Sequence, residues 1–326
     1  MSSRSWCWLA LATTVGIAVL RPDALVGQPS PRLPTVGIIF AGSSTDPLQA
    51  IRRQTLRDAG YVEGQTIDAK WRFAEGRNER LPALASELVS REVAAIVTFG
   101  GAATAAARNA TTKIPIVAVA DDLVAEGHVA SLARPGGNVT GVSLLATELD
   151  LKRLELLKQV VPSASRVAVF KDATTPSSHL ATLQAGGHAM GITLQILEIK
   201  KVEDLEGAFQ AARGWRAQGL NVLASPLLNG LRRTIIELAA RYRLPAMHQW
   251  PESVRDGGLM AYGPTQTVLY QLTFAQLDKV LKGAKPSELP VVQPAEFKLA
   301  LNVRTAKALG LTVPPSMVSR ADQVIH

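Results

Sequence analysis

Cysteine is almost absent from this chain of 326 residues. The single one, Cys7, lies in an N-terminal segment that has the pattern of a removable leader. Once that leader is removed, no thiol is left in the chain. Disulfide bonds, cysteine nucleophiles and thiolate metal ligands are therefore excluded for the processed protein.

Signatures of catalysis are missing as well. The sequence contains no G-x-S-x-G nucleophile elbow, no H-E-x-x-H motif and no phosphate-binding P-loop. Its histidines, none of which shows metal-ligand spacing, are His128, His179, His188, His248 and His326. We therefore expect no catalytic residue, no metal and no cofactor. His248 is the histidine of most interest, because it lies at a predicted strand end near Trp250.

No segment has the pattern of a nucleic-acid-binding surface. The formal net charge is +8, but Lys and Arg are scattered, with pairs such as Arg52-Arg53 and Arg232-Arg233 on predicted helices. There is no zinc-finger spacing and no basic run with interleaved aromatic residues. We expect these charges to lie on solvated helix faces, and we expect no nucleic acid among the partners.

Residues 1–28 have the pattern of a secretory signal peptide. A positive start at Arg4 is followed by an apolar run from Trp6 to Leu20 and by small and polar residues ending near Gly27. The run is shorter than the roughly 20 residues that a membrane-spanning helix needs. Since no later stretch is long and apolar enough to cross a bilayer, the sequence predicts a soluble protein exported to the periplasm.

Beyond the leader, strand and helix patterns alternate repeatedly. Apolar runs such as 35–40, 94–99 and 115–120 are typical of buried parallel strands, and amphipathic helical segments lie between them. A second alternating series begins at Arg166. The sequence therefore predicts an α/β fold of two doubly wound parallel-sheet lobes joined by crossing strands.

The predicted lobes are discontinuous in sequence. Lobe 1 is expected to contain residues 33–140 plus about 264–285, and lobe 2 residues 141–263, with residues 286–326 forming a C-terminal tail that crosses between the lobes. At the start of lobe 1, Ser44 or Thr45 is suited to cap the first helix.

The ends of the predicted strands mark the candidate binding site. In open parallel sheets, ligands bind beyond the carboxyl ends of strands, and two lobes with facing strand ends enclose a cleft. The residues that we predict to contact a ligand there are Ser43, Ser44, Gly100, Gly101, Ala102, Thr104, Asp121, Asp122, Asp172, Thr174, Ser225, Gln249, Trp250 and Tyr262.

Several of these residues also have a purely structural interpretation. The Gly100-Gly101 turn leads into a helix start, so it either offers backbone N–H groups to a ligand carboxylate or is only a tight turn. Asp122 is either an acceptor for a ligand ammonium or a loop and helix cap. Trp250 and Tyr262 either flank an apolar ligand or pack within the lobes.

Motifs spread over nearly the whole chain after the leader support a family resemblance. They are GYVEG at 60–64, RLPALA at 80–85, SLARPGGNVTG at 131–141, KRLELL at 152–157, GGLMAYG at 257–263 and TAKALGLTVPPS at 305–316. On these motifs, the chain resembles the ABC-transporter substrate-binding proteins related to the tryptophan-binding TrpX group. In that family the fourth strand is usually followed by Asp-Pro-Val. Here Asp122-Leu123-Val124 stands there, so the resemblance carries a binding role to Asp122.

The resemblance implies a type I periplasmic-binding-protein fold and a transport function. We expect an extracytoplasmic solute-binding protein of an ABC importer, a monomer that closes two lobes around a small ligand and delivers it to an inner-membrane permease. The ligand is expected to be an amino acid or a related small carboxylate. The alternative is a ligand-sensing protein that partners a sensor kinase or a chemoreceptor. A periplasmic enzyme and a DNA-binding regulator are disfavoured by the missing catalytic motifs and by the leader.

Overall fold

Two β-sheets, each covered by helices, make up the chain between Leu33 and His326. The computed structural model describes residues 33–46, 48–144, 146–175 and 180–326, without the side chains of residues 146 and 147. The predicted signal peptide and His179 lie outside the described residues.

The first sheet consists of five parallel strands, which are β1 (Thr35–Phe40), β2 (Asp68–Phe73), β3 (Ala95–Phe99), β4 (Ile116–Ala120) and β5 (Val139–Ser143). Their spatial order is β2-β1-β3-β4-β5. The connecting helices are α1 (Gln49–Asp58), α2 (Leu81–Ser90) and α3 (Gly101–Ala110). The strands β3, β4 and β5 are buried throughout, and β3 and β4 are nearly all apolar in sequence, as is usual for a parallel sheet covered on both faces.

The second sheet has seven strands, which are β6 (Arg166–Asp172), β7 (Thr193–Ile199), β8 (Gly219–Val222), β9 (Ala246–His248), β10 (Met260–Gly263), β11 (Lys298–Asn302) and β12 (Gln323–Ile325). Their order is β12-β11-β10-β9-β8-β6-β7, and only the β10–β11 pair is antiparallel. Its helices are α4 (Ala146–Val160), α5 (Leu180–Ala189), α6 (Asp204–Gly214), α7 (Pro226–Gly230), α8 (Arg232–Arg241) and α9 (Glu252–Arg255). The predicted pair of mostly parallel α/β lobes is confirmed.

The chain passes between the two sheets three times. It leaves the first sheet after β5 and returns to it after β10 with α10 (Gln266–Leu281), whose Leu269, Phe274 and Leu277 pack into the core of the first sheet. It then runs beside β5, where Val292 N–H donates to Gly141 O, before entering the second sheet at β11. We call the first sheet with α1, α2, α3 and α10 lobe 1, and the remainder lobe 2.

The C-terminal segment does more than cross between the lobes. Within residues 286–326, β11 and β12 are strands of the second sheet, and α11 (Val303–Ala308) and α12 (Pro315–Arg320) accompany them. The pairing of β10 with β11 is antiparallel because the chain enters β11 from the crossing segment rather than after a helix on the sheet. The sequence alternation did not show this extension of the second sheet.

The first helix begins later than the sequence predicts. α1 starts at Gln49 without a side-chain cap, whereas a cap at Ser44 or Thr45 is expected from the sequence. Asp46 takes part of this role, because its Oδ1 accepts a hydrogen bond from the Leu48 N–H at 3.0 Å. The loop thereby places a carboxylate, rather than a hydroxyl group, at the start of the helix.

Membrane-spanning segments are absent from the described part of the chain. None of its helices combines the length and the apolar character that a bilayer crossing requires.

Candidate functional site

A cavity lies between the lobes, where the carboxyl ends of the strands of both sheets face each other. It contains about 550 Å³ of space between atoms, part of it continuous with solvent. Lobe 1 contributes residues that follow β1, β3, β4 and β5 and residues at the start of α10, and lobe 2 contributes residues that follow β8 and β9. This position agrees with the rule that places ligands beyond the carboxyl ends of parallel strands.

Aromatic rings form the wall of lobe 1. Phe40 and Phe99 are the last residues of β1 and β3, and their rings stack with centroids 4.2 Å apart and an interplanar angle of 10°. They stack because the two residues are register partners on neighbouring parallel strands, which directs their side chains to one face. Tyr270 of α10 meets Phe99 edge-on at 5.6 Å. The lobe 1 side of the cavity is therefore aromatic and largely apolar.

Asp121, directly after β4, is an acidic residue of lobe 1 that lines the cavity. Burial raises the pKa of Asp121 well above its usual range, and the carboxylates of Glu126, Asp150 and Asp172 raise it further, while Arg153 opposes them. Carboxylates that crowd one another repel each other, so the group binds a proton or another cation more readily than an isolated carboxylate does. A ligand cation at Asp121 would therefore be stabilised by the whole acidic group.

A buried charge network lies beside the aromatic wall, and its Asp46 and Arg52 also line the cavity. The Arg52 guanidinium lies 4.2 Å above the Phe40 ring and donates to Asp46 Oδ2 at 2.7 Å and to the Tyr270 hydroxyl at 2.9 Å. Asp46 Oδ1 also accepts from Arg232 of lobe 2 at 3.3 Å. Burial alone would raise the pKa of Asp46, but the two arginines lower it. The network thus links the two lobes, because the Asp46 carboxylate of lobe 1 attracts the Arg232 guanidinium of lobe 2.

Lobe 2 presents the short helix α7 and Trp250 to the cavity. Ser225 Oγ accepts from the Leu228 N–H at 3.0 Å and caps α7. Asn229 Oδ1 and Trp250 Nε1 are buried and have no hydrogen-bond partner in the described structure. Trp250 follows β9 yet packs within the hydrophobic cluster of lobe 1, so the lobes are closed upon each other.

Both glycines of the Gly100-Gly101 turn lie against other groups of the protein. Gly100 has a φ of +96° and lies against Pro226 of lobe 2. A Cβ at Gly101 would meet Glu126 Oε2, so the missing side chain leaves room for that carboxylate at the start of α3. The tight-turn interpretation is thereby favoured, because the acidic group beside this helix start belongs to the chain itself.

Five of the fourteen predicted binding residues line the cavity, namely Ser43, Gly100, Asp121, Ser225 and Trp250. Two of them also have hydrogen bonds within the protein, since Ser225 caps α7 and Ser43 Oγ donates to Glu75 Oε2 at 2.7 Å. Contact of these five residues with a ligand stays a prediction.

The other nine predicted residues are not among those that line the cavity, namely Ser44, Gly101, Ala102, Thr104, Asp122, Asp172, Thr174, Gln249 and Tyr262. For Asp122, the loop-cap interpretation is favoured. Its Oδ1 accepts from the N–H groups of Val124 at 3.0 Å and Ala125 at 2.9 Å, so its carboxylate caps its own loop. The preceding residue, Asp121, lines the cavity instead.

Hydrogen bonds or packing within the protein account for most of the remaining eight. Ser44 N–H donates to Glu75 Oε1, Thr104 Oγ1 donates to Gly100 O, and Ala102 packs on the α2–α3 side of the first sheet.

In lobe 2, Asp172 Oδ1 accepts from both the N–H and the hydroxyl of Thr174. Thr174 Oγ1 also accepts from Asn78 Nδ2 of lobe 1 at 2.7 Å, a contact between the lobes. The Tyr262 ring lies 6.3 Å from that of Phe297, and Gln249 is buried.

Sequence reasoning missed the aromatic wall, the charge network and Asn229. The sequence could have indicated Phe40 and Phe99. Each is the last residue of a strand, and the carboxyl ends of these strands were already predicted to form the site. Gln266, Leu269 and Tyr270 have the i, i+3, i+4 spacing of one helix face, which reaches the cavity because α10 packs on lobe 1.

Metal binding finds no support in the described residues. Their His, Cys, Asp and Glu side chains form no group of three or more that could hold an ion. His248, the histidine singled out from the sequence, is buried in lobe 2 and does not line the cavity.

Comparisons with known proteins agree with this architecture. The chain is 27% identical over 261 residues to the tyrosine-binding protein of Clostridioides difficile (strain R20291), which covers 79% of this chain and 75% of that protein. A conserved domain protein from Vibrio cholerae O1 biovar El Tor has a structure with a TM-score of 0.81 and 23% identity, covering 90% of this chain and 100% of that one.

A second solved structure is that of the ABC domain in complex with L-Trp from Streptococcus pneumoniae. Its TM-score is 0.80 at 21% identity, again covering 90% of this chain and 100% of that one. These likenesses confirm the predicted type I periplasmic-binding-protein fold. The model of the ABC transporter substrate binding protein family matches residues 36–325, and the chain therefore belongs to that family.

Proposed function

We propose that this protein is the extracytoplasmic solute-binding protein of an ABC importer and that it binds an α-amino acid with an aromatic side chain. The single observation behind this proposal is the arrangement of the cavity, in which Asp121 and a stacked aromatic wall lie together between two closed lobes.

The charge distribution favours an ammonium group at Asp121. Asp46 and Arg52, the other charged residues that line the cavity, are paired with each other at 2.7 Å. The carboxylate of Asp121 is surrounded mainly by like charges. A ligand ammonium there forms a charge-assisted hydrogen bond and relieves the repulsion, whereas an anion at the same place would add to it.

The apolar part of the cavity favours a ring. Phe40, Phe99 and Tyr270 offer stacked and edge-on surfaces, and Leu144 and Leu269 complete the apolar lining. Stacking between rings adds about 0.5–1.5 kcal/mol to the burial of apolar area. The tyrosine-binding relative supports the same ligand class, because 79% of this chain aligns with it.

Closure of the two lobes explains how a transporter would distinguish the ligand-bound protein from the empty one. A ligand that contacts both lobes stabilises only the closed arrangement, so it shifts the population toward closure. An inner-membrane permease that recognises the closed surface would then accept the loaded protein. Membership in a family of substrate-binding proteins supports this partnership and a periplasmic location.

Titration calorimetry with the purified protein tests the ligand class. L-Tyr, L-Phe and L-Trp should bind, and the corresponding acids without an amino group should not. D121N should weaken amino-acid binding by about 1–3 kcal/mol, the value of a hydrogen bond to a charged group. The matched control is D122N at the neighbouring aspartate, which caps its own loop and should bind as the wild type does. Equal affinities for both variants would refute the role of Asp121.

Uptake measurements separate transport from sensing. Deletion of the gene should abolish high-affinity uptake of the labelled amino acid, and the wild-type gene should restore it. If uptake were unchanged while a transcriptional or chemotactic response to the amino acid was lost, the sensing alternative would hold instead.

A further inference from the structure

Two polar atoms of lobe 2 are left without partners at the cavity. Asn229 Oδ1 and Trp250 Nε1 both belong to residues that line it, both atoms are buried, and neither has a hydrogen-bond partner in the described structure. The other lobe 2 residues at the cavity are the apolar Ala224 and Pro226 and the helix-capping Ser225. Lobe 2 therefore has two unpartnered hydrogen-bonding atoms on residues that line the cavity.

Such atoms are rare in folded proteins, because a buried polar group without a partner costs about 1–3 kcal/mol. An indole N–H can only donate, whereas an amide oxygen can only accept. A hydroxyl group on a ligand can partner both atoms, because it accepts one hydrogen bond and donates another.

The place of Asn229 in the cleft indicates which part of the ligand it meets. Gly230, the next residue, packs against the Gly42 Cα, which follows β1. Asp121 follows β4, and β3 lies between β1 and β4 in the sheet. Two strand spacings of about 4.8 Å therefore separate the β1 end of the cavity from the Asp121 end. An amino acid with its ammonium at Asp121 would direct the far end of its side chain toward Asn229.

We propose that Asn229 and Trp250 select a hydroxyl group at the far end of the ligand's aromatic side chain, with Trp250 donating to the hydroxyl oxygen and Asn229 accepting its hydrogen. This inference rests on the proposed function and adds the ligand subclass, a phenolic amino acid. A phenyl ring satisfies neither atom, and an indole N–H on the ligand cannot accept from Trp250. Sites that are built to hydrogen-bond a hydroxyl group discriminate strongly against ligands that lack it.

Competition among ring analogues tests this selection in the wild-type protein. We expect L-Tyr to bind about 10- to 100-fold more tightly than L-Phe, which corresponds to the cost of leaving the pair unpartnered. We also expect L-Tyr to bind more tightly than 4-methyl-L-phenylalanine, which has nearly the shape of tyrosine without the hydroxyl group. Equal affinities for L-Tyr and both analogues would overturn the inference. The proposed function would still hold in that case, because all three compounds would bind.

Two substitutions assign the selection to the residues. W250F keeps a ring and removes the N–H, and N229L keeps the size and removes the amide. Each substitution should weaken the binding of L-Tyr and leave the affinity for L-Phe nearly unchanged. The ratio of the two affinities should therefore approach one. If either variant weakened L-Tyr and L-Phe equally, the residue would contact the common amino-acid part of the ligand, and the inference would fail.

Folding and ligand class are checked separately. Thermal melts of the ligand-free variants show whether each one folds. Should N229L fail to fold, W250F and the analogue series still decide the outcome. If no aromatic amino acid bound to the wild type at all, the proposed function would fail together with this inference.

Discussion

Gly100 of lobe 1 packs against Pro226 of lobe 2 so closely that a Cβ at position 100 would lie 2.7 Å from Pro226 Cγ. The φ of Gly100 is +96°, a backbone conformation that side chains other than that of glycine rarely adopt. Closure of the cleft therefore depends on the absence of a side chain at this one position.

G100A should hold the lobes apart and weaken ligand binding at least about tenfold, since the added methyl group must be accommodated at the contact between the lobes. The left-handed backbone conformation should also lower the free energy of unfolding by about 1–2 kcal/mol. Small-angle scattering with and without ligand measures closure, and calorimetry measures affinity. G214A is the control, because no atom lies within 4 Å of a Cβ at Gly214. Unchanged ligand-induced compaction in G100A would contradict this account.

The ion pair between Arg232 and Asp46 should slow opening of the closed state. Arg232 NH1 lies 3.3 Å from Asp46 Oδ1 on the other lobe, and both side chains are nearly inaccessible to solvent. R232Q should accelerate ligand dissociation by about 10- to 100-fold, because a buried hydrogen bond between charged groups is lost on one side of the cleft. Stopped-flow tryptophan fluorescence measures the rate.

R233Q serves as the control for this prediction. Arg233 is the exposed neighbour of Arg232, and its side chain lies 3.5 Å from Asp256 within lobe 2. Its removal should leave dissociation unchanged, since surface pairs contribute little. Equal effects of the two substitutions would mean that a general change in charge, rather than the contact between the lobes, controls opening.

Binding of an ammonium ligand should weaken as the pH falls. The pKa of Asp121 is raised by burial and by neighbouring carboxylates, so the empty cleft takes up a proton at a higher pH than an ordinary aspartate does. The ligand ammonium needs the ionised form, so the affinity should fall by up to about tenfold for each pH unit below that raised pKa. Calorimetry between pH 8 and 5 should show this dependence in the wild type, and D121N should remove it. A flat wild-type profile would contradict the coupling of ammonium binding to the raised pKa of Asp121 in this pH range.

His248 should make the protein less stable in mild acid. Burial, followed by the nearby charge of Arg232, lowers the pKa of His248 from 6.5 to about 4. Between these values the unfolded chain binds a proton that the folded protein does not. The contribution of neutral, buried His248 to the free energy of unfolding is therefore fully present above pH 6.5 and is lost as the pH falls toward 4. By pH 5 the loss should reach about 2 kcal/mol.

Urea unfolding at pH 7 and pH 5 checks this expectation for His248. The difference in unfolding free energy between the two pH values should be smaller in H248Q than in the wild type. H188Q changes an exposed histidine and should retain the wild-type difference. If H248Q lost as much unfolding free energy between pH 7 and pH 5 as the wild type does, titrating groups other than His248 would be responsible for the loss.

The strand and helix order was predictable because it depends on local patterns. Apolar runs indicated the buried strands of the first sheet, and the run at 115–120, for example, contains β4 at Ile116–Ala120. The cavity also lies at the strand ends where the sequence placed it. Asp121 and Trp250 were found there because each follows a strand directly or by two residues.

Residues whose roles depend on distant partners were not predictable. Asp122 and Asp121 are adjacent and chemically alike, and only the fold of the following loop turns one to its own backbone N–H groups and leaves the other at the cavity. Arg52 and Tyr270 are 218 positions apart, and their hydrogen bond exists because α10 returns to lobe 1 after the chain has built most of lobe 2.

The sequence by itself determined two alternating α/β lobes and a binding region at their strand ends, because hydrophobic periodicity and glycine-bearing turns act over a few residues. Only the tertiary structure decided which side chains meet in the cleft, which of Asp121 and Asp122 lines the cavity and which buried polar atoms there have no partner in the described structure. These properties arise from packing between segments far apart in the chain, and no local pattern encodes the distance between them.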